Sequence, residues 1–336
     1  QWPAVAFRDR LIEESLKAGF SSDEVGSVRA HRHVIACLSE TELVQEHTIL
    51  IAGTIANLRT VSPILQSVFC RRCRDIHGEG LNKIVETLLI RESGRFAYLE
   101  TKLFLLCQIV KFAKEKEQII LIAERGHDIF HLSLNYLHSQ PRNDYDSWKS
   151  CLVNAVDLIV ELLRRRDVFA CREFDLACLF RHIMSVLSGK VTEEVFSSCS
   201  KLLMVSFQRY SKQMCMVVPS VVSVLRSLQR HVLEHEEPSS TSGYRAQQLA
   251  RLYERVYSLK EVYKKHVIGL IFDFIKGLES ISVSQKSDML PAVYYLLDTL
   301  SKYEVKELNS LLDVRLKVMF KTVYQGYQKV HEYKGQ

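Results

Sequence analysis

The chain has 336 residues, 47% hydrophobic and 25% charged, an ordinary globular composition that excludes a disordered chain. Glycine (13) and proline (6) are scarce against the roughly 24 and 17 that average usage gives. Sandwiches, barrels and Rossmann folds draw their tight turns from these residues, so the shortage argues against β-rich and α/β folds and for helices on brief connectors. The net charge of +6, from 45 basic and 39 acidic residues, is too mild for a dedicated nucleic-acid binder.

Helical periodicity recurs along the whole chain. Val5–Ala18 is a weak first helix. Ser39 with Glu42 forms a capping-box pattern ahead of Leu43–Leu58, and Ser62-Pro63 opens Ile64–Ile76 as an N-cap followed by proline at the first helical position. Leu81–Arg91 ends at Ser93-Gly94. Phe96–Lys114 and Gln118–His138 form a long pair, closed by the turn Pro141-Arg142-Asn143-Asp144. Tyr145–Arg166 and Glu173–Leu187 come next, the latter ended by Ser188-Gly189. Thr192–Tyr210 starts at a Thr cap with Glu193 and Glu194 in the first turn, where the helix dipole favours acids. Pro219 is expected to separate it from Ser220–Glu234. The stretch 236–243, EEPSSTSG, reads as a flexible loop. Tyr244–Tyr263, His266–Leu278, Ser287–Ser301 and Glu304–Tyr327 complete about fourteen helices.

Connectors this short make neighbours antiparallel, and a helix pair takes about 40 residues, the spacing of HEAT and armadillo repeats. The expected fold is therefore all-α, a HEAT/armadillo-like helical-repeat solenoid. Its expected parts are an array over 1–235, the loop 236–243 and a C-terminal helical domain over 244–336. A compact all-α fold is the alternative, because no repeated signature accompanies the spacing. No uninterrupted apolar run reaches the ~18–20 residues of a membrane span. The nine cysteines are odd in number, and Cys37, Cys107, Cys151, Cys178 and Cys199 sit inside apolar helical patterns. With no Asn-x-Ser/Thr site either, this points to a reducing compartment rather than a disulfide framework. The chain opens at Gln1 in a half-apolar stretch without a signal-peptide pattern, and is expected to be part of something longer.

Catalytic and metal patterns are weak. Cys70-Arg71-Arg72-Cys73, with His77 and the His33/Cys37 pair, has ligand types for zinc but no knuckle glycine. His127 and His131 share a helix face as in zinc proteases, yet Asp128 stands where the general-base Glu belongs. Those two histidines fit a surface stripe of a helix packed through Ile122, Ile129 and Leu132. No Walker A, GxGxxG or Gly-x-Ser-x-Gly pattern occurs. The expectation is a protein without enzymatic activity, cofactor, metal or small-molecule substrate.

Charge distribution is more informative. Residues 244–336 hold 15 basic and 10 acidic residues, nearly all of the excess. Candidate RNA or partner contacts are Arg71, Arg72 and Arg74; Arg164, Arg165 and Arg166 at a helix end, where cations also complement the dipole; and Lys260, Lys264 and Lys265, interleaved with Tyr257 and Tyr263. On a helix, however, tyrosines at that spacing more often line the packed face.

The last stretch carries a set of motifs. Ala246-Gln247-Gln248-Leu249-Ala250-Arg251-Leu252-Tyr253 is followed by Lys264-Lys265-His266-Val267 and an apolar helix. Next comes Leu290-Pro291-Ala292-Val293-Tyr294-Tyr295-Leu296-Leu297-Asp298. Leu308-Asn309-Ser310-Leu311-Leu312-Asp313 then leads to Phe320-Lys321-Thr322-Val323-Tyr324-Gln325-Gly326-Tyr327. This block resembles the C-terminal domain of the Urb2/Npa2 family, the "unhealthy ribosome biogenesis" nucleolar proteins. It departs from the family pattern at Ala292, where Gly is usual, and at Leu316-Lys317, where a Gly-Arg step is typical. The resemblance implies a nucleolar scaffold in early 60S assembly and pre-rRNA processing. It also implies partners among pre-60S assembly factors, including other helical solenoids and a DEAD-box helicase, with direct pre-rRNA contact an open question. It adds Phe320, Lys321, Tyr324 and Tyr327 to the contact candidates, with a cap over the last repeat as the alternative role of their helix. A generic HEAT-like adaptor of another nuclear or cytosolic complex is the competing reading.

Overall fold

The computed structural model describes residues 78–332 apart from 90–95, 139–144, 190, 235–239, 280 and 282. All secondary structure among them is helical, in thirteen helices without strands. The helices expected at Val5–Ala18, Leu43–Leu58 and Ile64–Ile76 lie outside the described residues. The chain divides into two compact units, Gln1–Ala170 and Cys171–Gln336.

In the first unit, α1 (Gly78–Leu89) buries Leu81, Ile84, Val85 and Leu88, one stripe at helical spacing. α2 (Phe96–Phe112) and α4 (Tyr145–Arg164) pack along each other, and α3 (Lys116–His138) lies against α1 and α4. α4 buries Leu152, Ala155, Val156, Leu158, Ile159, Val160, Leu162 and Leu163. Residues on every side of the helix are thus covered, as a central helix requires. Phe130 of α3 stacks on Phe169 at 4.8 Å. Gly126 allows this approach: a Cβ there would stand 2.8 Å from the Val168 carbonyl oxygen.

The second unit holds α5 (Glu173–Leu187), α6 (Glu193–Arg209), the single turn α7 (Ser211–Met214), α8 (Val218–Leu233), α9 (Ser240–Ser258), α10 (Lys260–Gly277), α11 (Val283–Leu297), α12 (Lys302–Leu311) and α13 (Val314–Glu332). α8 packs on α5 and α10, α9 on α6 and most closely on α11, and α10 also touches α12 and α13. Tyr253 of α9 is fully buried, and its hydroxyl donates to Gln229 Oε1 of α8 at 2.5 Å. Gln229 Nε2 in turn donates to the Leu270 carbonyl of α10 at 3.1 Å. One polar chain therefore ties three helices inside an apolar core, each group satisfied by the next.

Several boundaries differ from the sequence expectation, each for a local reason. Pro219 stands at the expected break but inside the first turn of α8 rather than ahead of it, where its missing N–H has no intrahelical partner to lose. Of the expected loop 236–243, residues 240–243 form the first turn of α9, because Arg245 and Ala246 are already buried on its packed face. The break between α9 and α10 falls at Leu259 rather than around Lys264-Lys265. Ser258 bonds back to the Arg255 carbonyl, and a fresh stripe of Tyr263, Val267, Leu270, Ile271 and Phe274 begins after it. The long helix expected over Glu304–Tyr327 is two helices. Leu312 is extended, and Asp313 accepts from the Leu316 N–H at 2.8 Å, ending α12 and capping α13. Ser301 and Glu304 form a reciprocal capping box at the start of α12. Pro291 stands inside α11 on its exposed side.

Candidate functional site

Arg71, Arg72, Arg74 and the Cys70/Cys73 pair lie outside the described residues. The triple arginine divides into different roles. Arg165 donates to the carbonyls of Val110 (2.9 Å) and Ala113 (2.5 Å) and pairs with Asp167 at 2.5 Å. It therefore closes the open carbonyl end of α2 and is held in the fold. This pairing holds the Asp167 carboxyl below the usual carboxylate range, against the pull of partial burial. Arg164 pairs with Glu161 at 2.5 Å on an exposed face, and Arg166 is exposed. On α3, His127 and His131 are both exposed, and the His127 ring stands edge-on to Phe169 at 5.1 Å. Asp128 lies 3.8 Å from Arg125.

Among the described thiols, Cys151, Cys171 and Cys199 are buried, and burial pushes each up to about 12. Glu100 adds to the effect at Cys151, and Asp175 at Cys171. Such groups stay protonated at neutral pH and are poor nucleophiles.

The basic–aromatic stretch of α10 also divides. Tyr263 faces the core and is fully buried, with Phe207 edge-on at 5.9 Å. Lys264 reaches Glu304 of α12 at 3.3 Å, while Lys260 and Lys265 are exposed. Partial burial works against ionisation of Glu304, but the Ser301 and Lys264 hydrogen bonds outweigh it and hold the carboxyl below its ordinary range.

The C-terminal motifs meet in one joint. Tyr327 of α13 donates its hydroxyl to Asp298 at 2.8 Å and packs edge-on to Tyr294 of α11 at 5.7 Å. Burial, then the Asp298 carboxylate, raises the Tyr327 phenol well above its ordinary value. Gly326 leaves room for the partner ring: a Cβ there would stand 2.8 Å from the Tyr294 hydroxyl oxygen. Phe320 is buried, and Phe320, Tyr324 and Tyr327 form a ladder with centroids 5.8 and 5.7 Å apart. Of the four C-terminal candidates, Phe320 and Tyr327 hold the fold, whereas Lys321 is exposed and Tyr324 half-buried.

Beside this ladder, α12 and α13 leave an open groove of about 450 Å3. Val305, Val318 and Tyr324 line it with Lys306, Lys317 and Lys321, and no acid contributes to its lining. Among the described residues, no ion pair involves these three lysines. Val318 is 65% exposed, and Leu311 and Val314, at the corner between the helices, are 59% and 81% exposed. Sequence reasoning missed Lys306, Lys317 and Val318; their signal was the break at Asp313, which turns one amphipathic pattern into two.

The model of the Urb2/Npa2 family matches residues 153–336. The chain belongs to the Urb2/Npa2 family. Membership implies a role in ribosome biogenesis, and no described helix is long and apolar enough to cross a membrane. Comparison with curated proteins gave no match. The Urb2/Npa2 match begins within α4, far upstream of the quoted motifs, and takes in the whole second unit. Ala292, at the family's usual Gly, is fully buried in α11. Leu316, in the usual Gly-Arg region, is also buried, so both departures are core positions.

Proposed function

We propose that this Urb2/Npa2 chain is a non-enzymatic nucleolar scaffold in early 60S assembly and pre-rRNA processing, with its helices stacked as a HEAT-like solenoid. The observation that carries the reading is the family match over residues 153–336. The joint of Tyr294, Asp298, Gly326 and Tyr327 supports it, since the motif residues are used to hold helices together rather than to form a reaction centre. The partners of this reading are pre-60S factors, among them other helical solenoids and a DEAD-box helicase. Arg164, Arg166, Lys260, Lys265 and Lys321 remain the candidates for touching pre-rRNA.

Affinity purification of the tagged protein from a nuclear extract tests this. The expected result is co-recovery of pre-60S proteins and precursor rRNA. Recovery of neither would reject it.

A further inference from the structure

The α12–α13 groove joins apolar side chains and lysines with no acid in its lining. Some basic side chains of the unit pair with acids: Arg226 with Asp273 at 3.0 Å, Lys264 with Glu304, Arg315 with Glu279 at 2.9 Å. Around the groove three lysines have no such partner among the described residues, and the lining they frame is Val305, Val318, Phe320, Tyr324 and one polar residue, Asn309. An isolated exposed valine carries no meaning, but here Val318 lines the groove and Leu311 and Val314, at the turn between α12 and α13, are exposed as well.

The chemistry distinguishes between occupants. Single-stranded RNA needs open aromatic faces for its bases as well as cations, lysine or arginine, on its phosphates. The groove contributes lysines, which act as point charges, and valines, which offer no π-face. Of its two aromatics, Phe320 is buried, and Tyr324 packs against Phe320 and Tyr327 at 5.8 and 5.7 Å, so the groove offers no row of open rings for successive bases. An apolar channel rimmed by a single sign of charge fits an amphipathic helix whose apolar anchors recur every three to four residues and whose flanks carry acids.

We propose that the groove between α12 and α13 docks an acidic amphipathic helix of a partner protein. Apolar anchors of that helix contact Val305, Val318 and the edge of Tyr324, and carboxylates on its flanks meet Lys306, Lys317 and Lys321. This deepens the scaffold reading by giving one of its surfaces a partner chemistry, and it rests on that reading.

The test measures fluorescence anisotropy of a labelled 18-residue amphipathic peptide, with leucines on one face and glutamates flanking them, titrated with the full 336-residue chain. A matched peptide with lysines for glutamates and a single-stranded RNA oligonucleotide serve as competitors. The expected result is binding of the acidic peptide that weakens as salt rises and is not displaced by either competitor. The triple variant K306Q/K317Q/K321Q should weaken it about tenfold, the effect of losing three exposed charge pairs, and Val318→Ser should weaken it without changing the melting temperature. Equal binding of the basic peptide to the unmodified chain would overturn the proposal, as would displacement by RNA. So would a dimer in sedimentation that Val318→Ser dissolves, since the occupant would then be a second copy. Purification from nuclear extract separates the two readings. If the triple variant and the unmodified chain recover the same set of pre-60S proteins, the groove proposal fails and the scaffold stands. If the unmodified chain recovers none, the scaffold reading itself fails.

Discussion

α8–α10 and α12–α13 belong to the same compact unit yet treat their side chains in opposite ways. In α8–α10 the apolar stripes face one another, the Gln229–Tyr253–Leu270 chain satisfies the buried polar groups, and Arg226 is neutralised by Asp273. In α12–α13 valines stand more than half exposed and lysines border them without acids. Sequence composition is similar in both. The difference lies in how much of each helix has a neighbour: α10 has α8 on one side and α11, α12 and α13 on others, while beyond α13 no described helix follows. A helix with neighbours all round uses its surface for stability, and one at the edge keeps surface for something else.

The sharpest way to break this comparison is at Phe274, fully buried on α10. Phe274→Ala removes a ring that its neighbours cannot replace, and should cost about 3–5 kcal/mol of unfolding free energy. Urea denaturation followed by circular dichroism measures it. A loss below ~1 kcal/mol would mean that α10 is not the covered centre of the unit.

Tyr253→Phe is a finer test of the same core. The substitution keeps the ring and its volume but leaves Gln229 Oε1 buried without a donor. The expected cost is about 1–3 kcal/mol, the desolvation penalty of an unsatisfied polar group. Changing both residues at once, Gln229→Leu with Tyr253→Phe, should be less destabilising than the sum, because no lone polar group is then left behind. Additive effects in a double-mutant cycle would show that the two groups do not depend on each other.

What the sequence disclosed follows from the range of the forces involved. α5 was expected at Glu173–Leu187 and is found there, since apolar spacing and the flanking Ser188-Gly189 are local signals. The breaks at Leu259 and Asp313 were missed although their signals are also local: a serine bonding back onto its helix and an aspartate acting as N-cap. Both were hidden inside apolar patterns that a single long helix fits equally well. Arg165 was recognised as a cation at a helix end, but the carbonyls it serves belong to α2, more than fifty residues away. No spacing rule reaches that far. The same holds for Tyr327 and Asp298, 29 residues apart, whose meeting requires α11 and α13 to be placed first. The family resemblance singled out Phe320, Lys321, Tyr324 and Tyr327 together, and only the fold shows that Phe320 is buried, that Tyr327 bonds Asp298 and that Lys321 is exposed. The groove itself was illegible for a further reason, because exposure of Val318 depends on which helix is absent beside it.

The smallest expected effect is at that residue, and it is the one that makes the comparison quantitative. Val318 is 65% exposed on a helix with no described neighbour over that face, so removing its methyl groups takes away little burial. Val318→Ser should change the unfolding free energy by no more than about 0.5 kcal/mol, the ordinary range for a surface position. The contrast with Phe274→Ala is then several kcal/mol for two apolar residues of one unit. Urea curves run side by side, with equal slopes, measure it directly. A cost at Val318 approaching that of a core valine would mean that another part of the chain already covers the groove, and the edge would then be as closed as the centre.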